Sequence, residues 1–323
     1  MSLLDVRDLR VYFRTEGAPV PVVSGLNFSI EESEIFGLAG ESGCGKSITA
    51  LSIMGLLPRN AYATGRTDFR GKDLLKMDEE SKRRLRGNEI SMIFQEPMTS
   101  LNPVLTIGYQ IAEVLVTHRN MTKKEAMERA VELLASVRIP SPEIRVREYP
   151  HQMSGGMRQR VMIAMSIACN PALLIADEPT TALDVTIQAQ ILELIQRLRE
   201  ERRMSILFIT HDLGVIAENA SRVAVMYAGK LVELADTGEI FNNPQHPYTI
   251  GLLESIPKGR GIPLKPIRGT VPRPEDFPEG CRYADRCGKQ PSAECREKEP
   301  PLIEVSKGHF VRCGLRDDGT SQG

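Results

Sequence analysis

The sequence predicts an α/β fold, because short apolar runs of the buried-strand type alternate with helical stretches along its 323 residues. The apolar run Phe36–Ala39 leads directly into a glycine-rich loop, and a helical pattern follows at Ile48–Leu57. Two further apolar runs, Leu173–Ala176 and Ile206–Ile209, flank a helical stretch over Thr186–Arg203. A chain of this length accommodates one large or two ordinary domains with a sizeable core.

The remaining predicted elements complete this alternation. They are a strand at Ile90–Phe94, a helical region over Ile107–Ile139 with an amphipathic part at Lys123–Arg138, and a hairpin of Val223–Tyr227 and Lys230–Glu233. Near residue 255 the composition changes, and Pro257–Pro278 is rich in proline, glycine and basic residues, which is typical of a linker. We therefore expect two parts, residues 1–255 and residues 256–323.

The composition is that of a globular protein, with 41% hydrophobic and 26% charged residues. The net charge of −1, from 41 basic and 42 acidic residues, argues against a general nucleic-acid binder, which usually carries a basic excess. No apolar run approaches the roughly 18 residues that a membrane span needs. The N-terminal segment carries charges where a signal peptide would be apolar. We expect a cytosolic chain that reaches a membrane only through a partner.

The glycine-rich loop is the strongest functional signal. Residues 40–47, Gly-Glu-Ser-Gly-Cys-Gly-Lys-Ser, fit the pattern G-x-x-x-x-G-K-[ST] between a predicted strand and a predicted helix. Such a loop wraps backbone N–H groups around phosphate oxygens, and the helix N-terminus adds partial positive charge. Lys46 is expected to reach the β- and γ-phosphates of ATP, and the Ser47 hydroxyl to ligate Mg²⁺. The expected nucleotide contacts are Gly40, Glu41, Ser42, Gly43, Cys44, Gly45, Lys46, Ser47 and Ile48.

Acidic residues follow a second apolar run. Asp177, at the end of Leu173–Ala176, is placed to hold Mg²⁺ directly or through water. Glu178, the next residue, is placed to act as general base toward the attacking water. Such a pair standing alone is often only a loop start or helix cap, and the phosphate loop favours the catalytic interpretation. His211 follows a third apolar run, where ligands collect in open α/β sheets, and is expected to hydrogen-bond the γ-phosphate.

Together these motifs resemble the ATPase subunits of ABC transporters over about residues 3–255. Residues 154–160, Ser-Gly-Gly-Met-Arg-Gln-Arg, are similar to the family signature, and residues 181–184, Thr-Ala-Leu-Asp, are similar to its D-loop. The other matches are Gln95 with the Q-loop glutamine, His211 with the switch histidine, and Phe13 with the aromatic that stacks on adenine, with Tyr12 as its alternative. The resemblance implies an ABC-type P-loop ATPase with a RecA-like core, an antiparallel β subdomain and a helical subdomain over about residues 96–172.

The resemblance also implies that two cassettes sandwich ATP head to tail. Glu178, His211 and Gln95 would be catalytic, and Ser47, Gln95 and Asp177 would ligate Mg²⁺. The signature residues Ser154, Gly155 and Gly156 would contact the nucleotide of the other subunit, and Asp184 of the D-loop is also expected at the nucleotide. Because the chain has one cassette, it would pair with itself or with a homologous subunit.

A second resemblance concerns the C-terminal part. Residues 241–249, Phe-Asn-Asn-Pro-Gln-His-Pro-Tyr-Thr, and the segment after them are similar to the extension of oligopeptide, dipeptide and nickel import ATPases, most closely the D subunits of dipeptide importers. This implies that the chain is a peripheral protein at the cytoplasmic face of the inner membrane, where its ATPase energises peptide import. Its partners would be two integral permease subunits and an extracytoplasmic solute-binding protein. Residues 96–102 and the helical segment to about Ile139 would dock a permease. Alternatives are the same role for nickel or another small solute, or a soluble non-transport ABC ATPase.

Four cysteines lie in the extension: Cys281, Cys287, Cys295 and Cys313. In a reducing compartment such a group indicates a metal site more than a disulfide framework. Zinc sites prefer tight C-x₂-C pairs, which this spacing lacks, and four thiolates at wider spacing suit an iron–sulfur cubane at least as well. The resemblance implies a 4Fe–4S cluster, expected to be structural. Zn²⁺ is the alternative, with free thiols or disulfides a third possibility and redox sensing another role.

Overall fold

A computed structural model describes residues 2–96, 100–181, 183–256, 265–289 and 291–315. Residues 97–99 of the predicted permease-docking segment, Ala182 of the predicted D-loop and residues 257–264 of the predicted linker lie outside this description. The chain forms two compact units. Unit 1 comprises Met1–Leu3, Ile30–Glu34 and Lys76–Phe208, and unit 2 comprises Leu4–Ser29, Ile35–Leu75 and Ile209–Gly323.

Twelve strands are present in the described residues. In chain order they are β1 (Ser2–Phe13), β2 (Val20–Glu31), β3 (Ile35–Ala39), β4 (Ala61–Phe69), β5 (Lys72–Asp73), β6 (Ile90–Ile93), β7 (Leu173–Asp177), β8 (Ser205–Thr210), β9 (Arg222–Tyr227), β10 (Lys230–Asp236), β11 (Ile303–Ser306) and β12 (His309–Val311). The short apolar runs that predicted strands correspond to β3, β6, β7 and β8, all of whose residues are buried.

The described helices are α1 (Lys46–Met54), α2 (Glu79–Leu85), α3 (Ile107–Arg119), α4 (Lys123–Ser136), α5 (Pro142–Arg145), α6 (Gly155–Ser166), α7 (Val185–Arg202), α8 (Leu213–Asn219), α9 (Thr237–Asn242), α10 (Pro247–Glu254) and α11 (Ala293–Glu297). In the same described ranges, single 3₁₀ turns lie at Pro150–Gln152, Pro274–Asp276 and Ala284–Arg286. No helix of the described ranges has both the length and the apolar character to cross a membrane.

Unit 1 combines a parallel sheet edge with helices. Its strands lie in the order β8-β7-β6, and β6 runs parallel to β7 with Ile90 beside Leu173. The predicted helical region Ile107–Ile139 is two helices, because Asn120 ends α3 in a left-handed conformation (φ 53°). A new N-terminus follows, where Thr122 and Glu125 form a reciprocal capping box. Two backbone signals therefore divide a region whose hydrophobic pattern is continuous.

Unit 2 contains an antiparallel sheet of order β2-β1-β4-β5 and the strand order β11-β12-β10-β9-β3. Strand β3 runs parallel to β9, and β9 forms the predicted hairpin with β10. The hairpin turn is formed by Ala228 (φ 44°) and Gly229 (φ 78°), both in the left-handed region that two-residue hairpins prefer. The prediction of this hairpin is confirmed, and β10 extends three residues beyond its predicted end at Glu233.

The C-terminal extension adds two strands to unit 2. Strand β12 pairs antiparallel with β10, with Glu233 beside Val311, and β11 pairs with β12. The fully buried Glu233 carboxylate lies 2.7 Å from His309 Nε2 and accepts hydrogen bonds from the N–H groups of Gln245 (2.7 Å) and His246 (2.9 Å). The division into compact units therefore does not fall at residue 255, and the boundary predicted there remains a prediction.

His246 supplies a pH-dependent contribution to stability. It is buried, its Nδ1 accepts the Tyr248 N–H (3.0 Å) and so caps α10, and burial lowers its pKa from 6.5 to about 3. As pH falls from 6.5 toward about 3, the histidine of the unfolded chain binds a proton while the buried histidine of the folded chain stays neutral. The free energy of unfolding therefore decreases over this range, by at most roughly 1 kcal/mol per pH unit.

The change His246→Asn keeps a side-chain acceptor suited to a helix N-cap and removes the titrating ring. We expect the variant to lose less unfolding free energy than the wild type between about pH 7 and about pH 5, measured by urea unfolding at each pH. Equal losses in the two proteins would contradict the assignment of acid sensitivity to His246.

Candidate functional site

The predicted site residues fall into two groups, which the two compact units carry separately. Unit 2 carries Phe13, the loop residues Gly40 to Ile48, and His211. Unit 1 carries Gln95, Ser154, Gly155, Gly156, Asp177, Glu178 and Asp184.

The phosphate loop joins β3 to α1, as the pattern predicts. Helix α1 begins at Lys46, two residues before its predicted start, so Lys46 and Ser47 lie in the first helical turn. Gly40 (φ 148°) and Gly45 (φ 104°) adopt backbone conformations that other residues rarely accept. A Cβ atom at Gly40 would also lie only 2.3 Å from the Met226 carbonyl oxygen. The loop shape therefore depends on glycine for both backbone conformation and space.

Lys46 points across the loop and is only 5% exposed. Its Nζ donates hydrogen bonds to the carbonyl oxygens of Gly40 (2.7 Å) and Glu41 (3.1 Å). The thiol of Cys44 lies 3.9 Å from the same Nζ, and burial raises the pKa of this thiol. Cys44 is therefore a neutral, buried side chain, which suits a loop position where the predicted contribution is only a backbone N–H.

Two residues distant in sequence hold the outer side of the loop. The Glu41 N–H donates to the Tyr248 hydroxyl (2.9 Å), and the Glu41 carboxylate accepts two hydrogen bonds from the Arg286 guanidinium (2.7 and 3.0 Å). Sequence reasoning missed both contacts. The His-Pro-Tyr segment did point to Tyr248 as a residue of interest, whereas nothing around Arg286 indicates a loop contact.

The acidic pair lies at the end of β7 in unit 1. Asp177 is the last strand residue and is 3% exposed. Glu178 has φ 46°, a left-handed conformation that is uncommon outside glycine and clusters at functional sites. Its Oε2 accepts hydrogen bonds from Gln95 Nε2 (3.2 Å) and Thr181 Oγ1 (2.8 Å). The structure thus brings together two residues predicted to be catalytic, and adds Thr181, which the sequence analysis did not assign to them.

The signature-like segment forms an exposed turn leading into α6. Ser154 is exposed and caps the helix, with its Oγ accepting the Met157 N–H (3.3 Å). A Cβ atom at Gly156 would approach Ile187 Cγ2 to 2.9 Å, so a small residue is favoured there. Gln159 Nε2 donates to the Pro179 carbonyl (2.6 Å) and so joins α6 to the loop after the acidic pair.

Asp184 of the D-loop-like segment caps α7. Its Oδ1 accepts the Ile187 N–H at 2.9 Å. This is a local structural contact, and the predicted nucleotide contact of Asp184 remains a prediction.

The remaining predicted residues of unit 2 lie at strand ends. Phe13 ends β1, and its neighbour Tyr12 stacks on Tyr62 with ring centroids 5.2 Å apart. The adenine contact predicted for Phe13, with Tyr12 as its alternative, remains a prediction. His211 directly follows β8 and is exposed.

The four extension cysteines are all described, and none forms a disulfide. The Cys281 N–H donates to the Cys295 carbonyl (2.7 Å), and Cys295 and Cys313 border a cavity of about 120 Å³. Burial, and then the charges of the other three cysteines, raise the pKa of Cys281 to about 11. Among the described residues, however, no group of three or more His, Cys, Asp or Glu side chains is arranged to hold a metal ion.

Comparison with known families gives two matches. Residues 23–181 match the family described as "ABC transporter", and residues 232–295 match "Oligopeptide/dipeptide transporter, C-terminal region". Among characterised sequences, the chain is 53% identical to the oligopeptide transport ATP-binding protein AppD of Bacillus subtilis, over 99% of both chains. It is 50% identical to the dipeptide transport ATP-binding protein DppD of the same organism, over 98% of this chain and 95% of DppD.

Solved structures agree on the fold. The ATP-binding cassette MJ0796, solved as a dimer in a post-hydrolysis state bound to ADP and Pi, superposes with a TM-score of 0.65 at 26% identity, covering 72% of this chain and 98% of the cassette. CbiO1 of Clostridium perfringens, part of an ABC transporter complex, superposes with a TM-score of 0.63 at 24% identity, covering 75% and 91%.

Proposed function

Because the chain belongs to the ABC-transporter ATP-binding subunits of the oligopeptide and dipeptide transport family, we propose that its ATP hydrolysis energises the import of short peptides. The chain is an ABC ATPase with the cassette fold. The observation that carries the peptide assignment is the match of residues 232–295 to the C-terminal region of oligopeptide and dipeptide transporters. The same role for nickel or another small solute is the second candidate, because the cassette resemblance does not specify the cargo.

The phosphate loop and the acidic pair are proposed to act on one ATP. Lys46 binds the β- and γ-phosphates, and the loop N–H groups surround them. The oxygen donors of Ser47, Gln95 and the buried carboxylate of Asp177 are of the hard type that Mg²⁺ prefers, so these residues fit this ion. When bound, Mg²⁺ neutralises charge on the phosphates. Glu178, oriented by Gln95 and Thr181, takes a proton from the attacking water, and His211 hydrogen-bonds the γ-phosphate.

The exposed signature turn is proposed to complete the ATP site of a second cassette. Ser154, Gly155 and Gly156 lead into a helix N-terminus, which is a favourable place for an anion. Asp184 would act at the same nucleotide. The partner is a homologous subunit or a second copy of this chain, and the dimeric state of MJ0796 supports such pairing. At the cytoplasmic face of the inner membrane the chain would bind two integral permease subunits, and an extracytoplasmic solute-binding protein would complete the importer.

Peptide uptake tests this function. Proteoliposomes containing this chain, its permease subunits and the solute-binding protein should accumulate a labelled dipeptide or oligopeptide only when ATP is present on the cassette side. Nickel should neither accumulate nor compete. ATP-dependent uptake of nickel without uptake of peptide would replace the proposed cargo with the second candidate.

We further propose that Cys281, Cys287, Cys295 and Cys313 hold a 4Fe–4S cluster that stabilises the extension. The hydrogen bond from the Cys281 N–H to the Cys295 carbonyl and the cavity that Cys295 and Cys313 border support the proposal, and thiolate ligands suit such clusters. Ligand binding would deprotonate these thiols, so assembly should be favoured as pH rises.

Protein purified without oxygen is expected to contain about four iron and four sulfide ions per chain. Cys295→Ser should lose most of this iron, whereas Cys169→Ser, at a buried cysteine outside the extension, should retain it. Metal analysis and a sulfide assay provide the measurement. One zinc ion per chain without iron would exclude the cluster and favour the alternative, Zn²⁺.

A further inference from the structure

We propose that Arg286, in the cysteine-rich extension, is a positioning residue that holds the phosphate loop in its nucleotide-binding shape. The inference deepens the proposed function, since it rests on residues 40–47 being the ATP phosphate loop. It concerns a contact within unit 2 between Arg286 and Glu41, the second residue of that loop.

The Arg286 side chain is built into its position. It is 6% exposed, and its two terminal nitrogens donate to the two carboxylate oxygens of Glu41 at 2.7 and 3.0 Å. Its Nε donates to the Arg268 carbonyl (2.8 Å), and Nη2 also donates to the Gly269 carbonyl (3.3 Å). A bidentate guanidinium–carboxylate pair fixes both the distance between the two groups and their relative orientation. The hydrogen bonds from Arg286 to the carbonyls of Arg268 and Gly269 hold the guanidinium in place, so it does not move with the loop. Arg286 therefore acts as a fixed anchor for the Glu41 side chain.

Tyr248 restrains the backbone of the same residue. Its hydroxyl accepts the Glu41 N–H at 2.9 Å, and its fully buried ring packs against the rings of Tyr227 and Tyr283, with centroids 4.7 and 5.3 Å away. Burial places the pKa of Tyr248 far above the usual tyrosine value, so the hydroxyl is neutral. Glu41 is thus held through both its main chain and its carboxylate.

These restraints matter because the loop carries several glycines. Gly40, Gly43 and Gly45 all have positive φ, and glycine allows many conformations when nothing else fixes the chain. The Glu41 carbonyl also accepts a hydrogen bond from Lys46, so the two peptide groups that flank Glu41 are bonded to Tyr248 and to the lysine expected to bind phosphate, while Arg286 holds the carboxylate. A loop that already has its binding conformation loses less conformational entropy when it binds ATP. The apparent affinity for ATP is proportional to the fraction of molecules whose loop has that conformation.

The expected signature is a change in ATP affinity rather than in chemistry. If loss of the anchor reduces the competent fraction to about one tenth, the KM for ATP rises about tenfold. The kcat at saturating ATP should stay within about twofold, because bound phosphate then orders the loop. A residue that served only the stability of the extension would lower thermal stability without producing this separation of KM from kcat.

The experiment measures KM and kcat for ATP in the full transporter complex, with Tm and iron content recorded for each protein. Arg286→Gln should raise KM about tenfold and Arg286→Lys less, because lysine restores the charge without the fork. The matched control is Arg296→Gln, which also adjoins a cysteine but pairs with Asp285 (2.6 Å) at an exposed position. This control should leave KM unchanged.

A double-mutant cycle separates the pair from general damage. Glu41→Gln should weaken ATP binding by a similar factor, and Glu41→Gln combined with Arg286→Gln should be little worse than either single change. Tyr248→Phe should weaken binding by a separate factor. If Arg286→Gln fails to fold or loses iron, Glu41→Gln decides the matter, since it removes the same ion pair and changes neither the extension's arginine nor its cysteines. Unchanged KM in Glu41→Gln would overturn the inference.

Failure of the inference and failure of the phosphate-loop assignment give different results. If Arg286, Glu41 and Tyr248 variants bind ATP normally while Lys46→Ala does not, only the positioning role is wrong. If Lys46→Ala binds ATP normally as well, the loop assignment itself is wrong.

Discussion

Replacing Glu178 with glutamine is expected to lower ATP turnover by about 10²- to 10⁴-fold, the range that a general base contributes. The glutamine amide cannot accept a proton from water at neutral pH, yet it has nearly the size of the carboxylate. Its oxygen can still accept the hydrogen bonds that Gln95 and Thr181 donate to Glu178. We expect the backbone of residue 178 to keep its left-handed conformation (φ 46°) in the variant, and therefore to orient the glutamine side chain as it orients the glutamate. ATP binding should therefore persist while hydrolysis nearly stops.

Two measurements check this expectation. Steady-state phosphate release reports turnover, and equilibrium binding of labelled ATP reports affinity for the nucleotide. The control is Glu193→Gln, at a 62% exposed carboxylate on α7 that pairs with Arg138, and it should hydrolyse ATP like the wild type. If Glu178→Gln hydrolysed ATP at the wild-type rate, Glu178 would not be the general base, and its strained backbone would have no catalytic explanation.

The change Lys46→Ala is expected to reduce ATP affinity at least about 100-fold. Hydrogen bonds to charged groups contribute about 1.5–3 kcal/mol each, and two such bonds to phosphates correspond to about two to four orders of magnitude in Kd. In the structure the buried Nζ already satisfies the carbonyls of Gly40 and Glu41, so its loss also removes two restraints on the loop. The effect should thus exceed that of losing the charge alone.

Equilibrium binding of labelled ATP to purified protein provides the measurement. Lys124→Ala serves as the control, because this lysine on α4 is 88% exposed and pairs only loosely with Glu128 at 4.0 Å. It should bind ATP with wild-type affinity. Wild-type affinity in Lys46→Ala, with a correctly folded protein, would contradict the assignment of residues 40–47 as the phosphate loop.

The features that sequence determined by itself are those set by local physical chemistry. A short apolar run followed by a glycine-rich pattern predicted β3, the loop and α1. The pattern is informative because glycine is required where φ is positive and where neighbouring atoms leave no room for a Cβ atom, as at Gly40. The Ala228-Gly229 turn predicted the β9–β10 hairpin for the same reason. Element ends were less accurate: the helical region Ile107–Ile139 is divided at Asn120, where capping signals outweigh hydrophobic periodicity.

Tertiary structure alone decided which distant residues meet. Gln95 contacts Glu178 across 83 positions, and Arg286 contacts Glu41 across 245. The pairing of β12 with β10, which places the extension within unit 2, is likewise absent from any local pattern. Such contacts depend on how strands pair and which side chains become buried together, and the local sequence around each residue does not indicate which distant residue it will contact. The phosphate loop was therefore visible in eight consecutive residues, whereas the residues that hold it from outside became visible only in the folded chain.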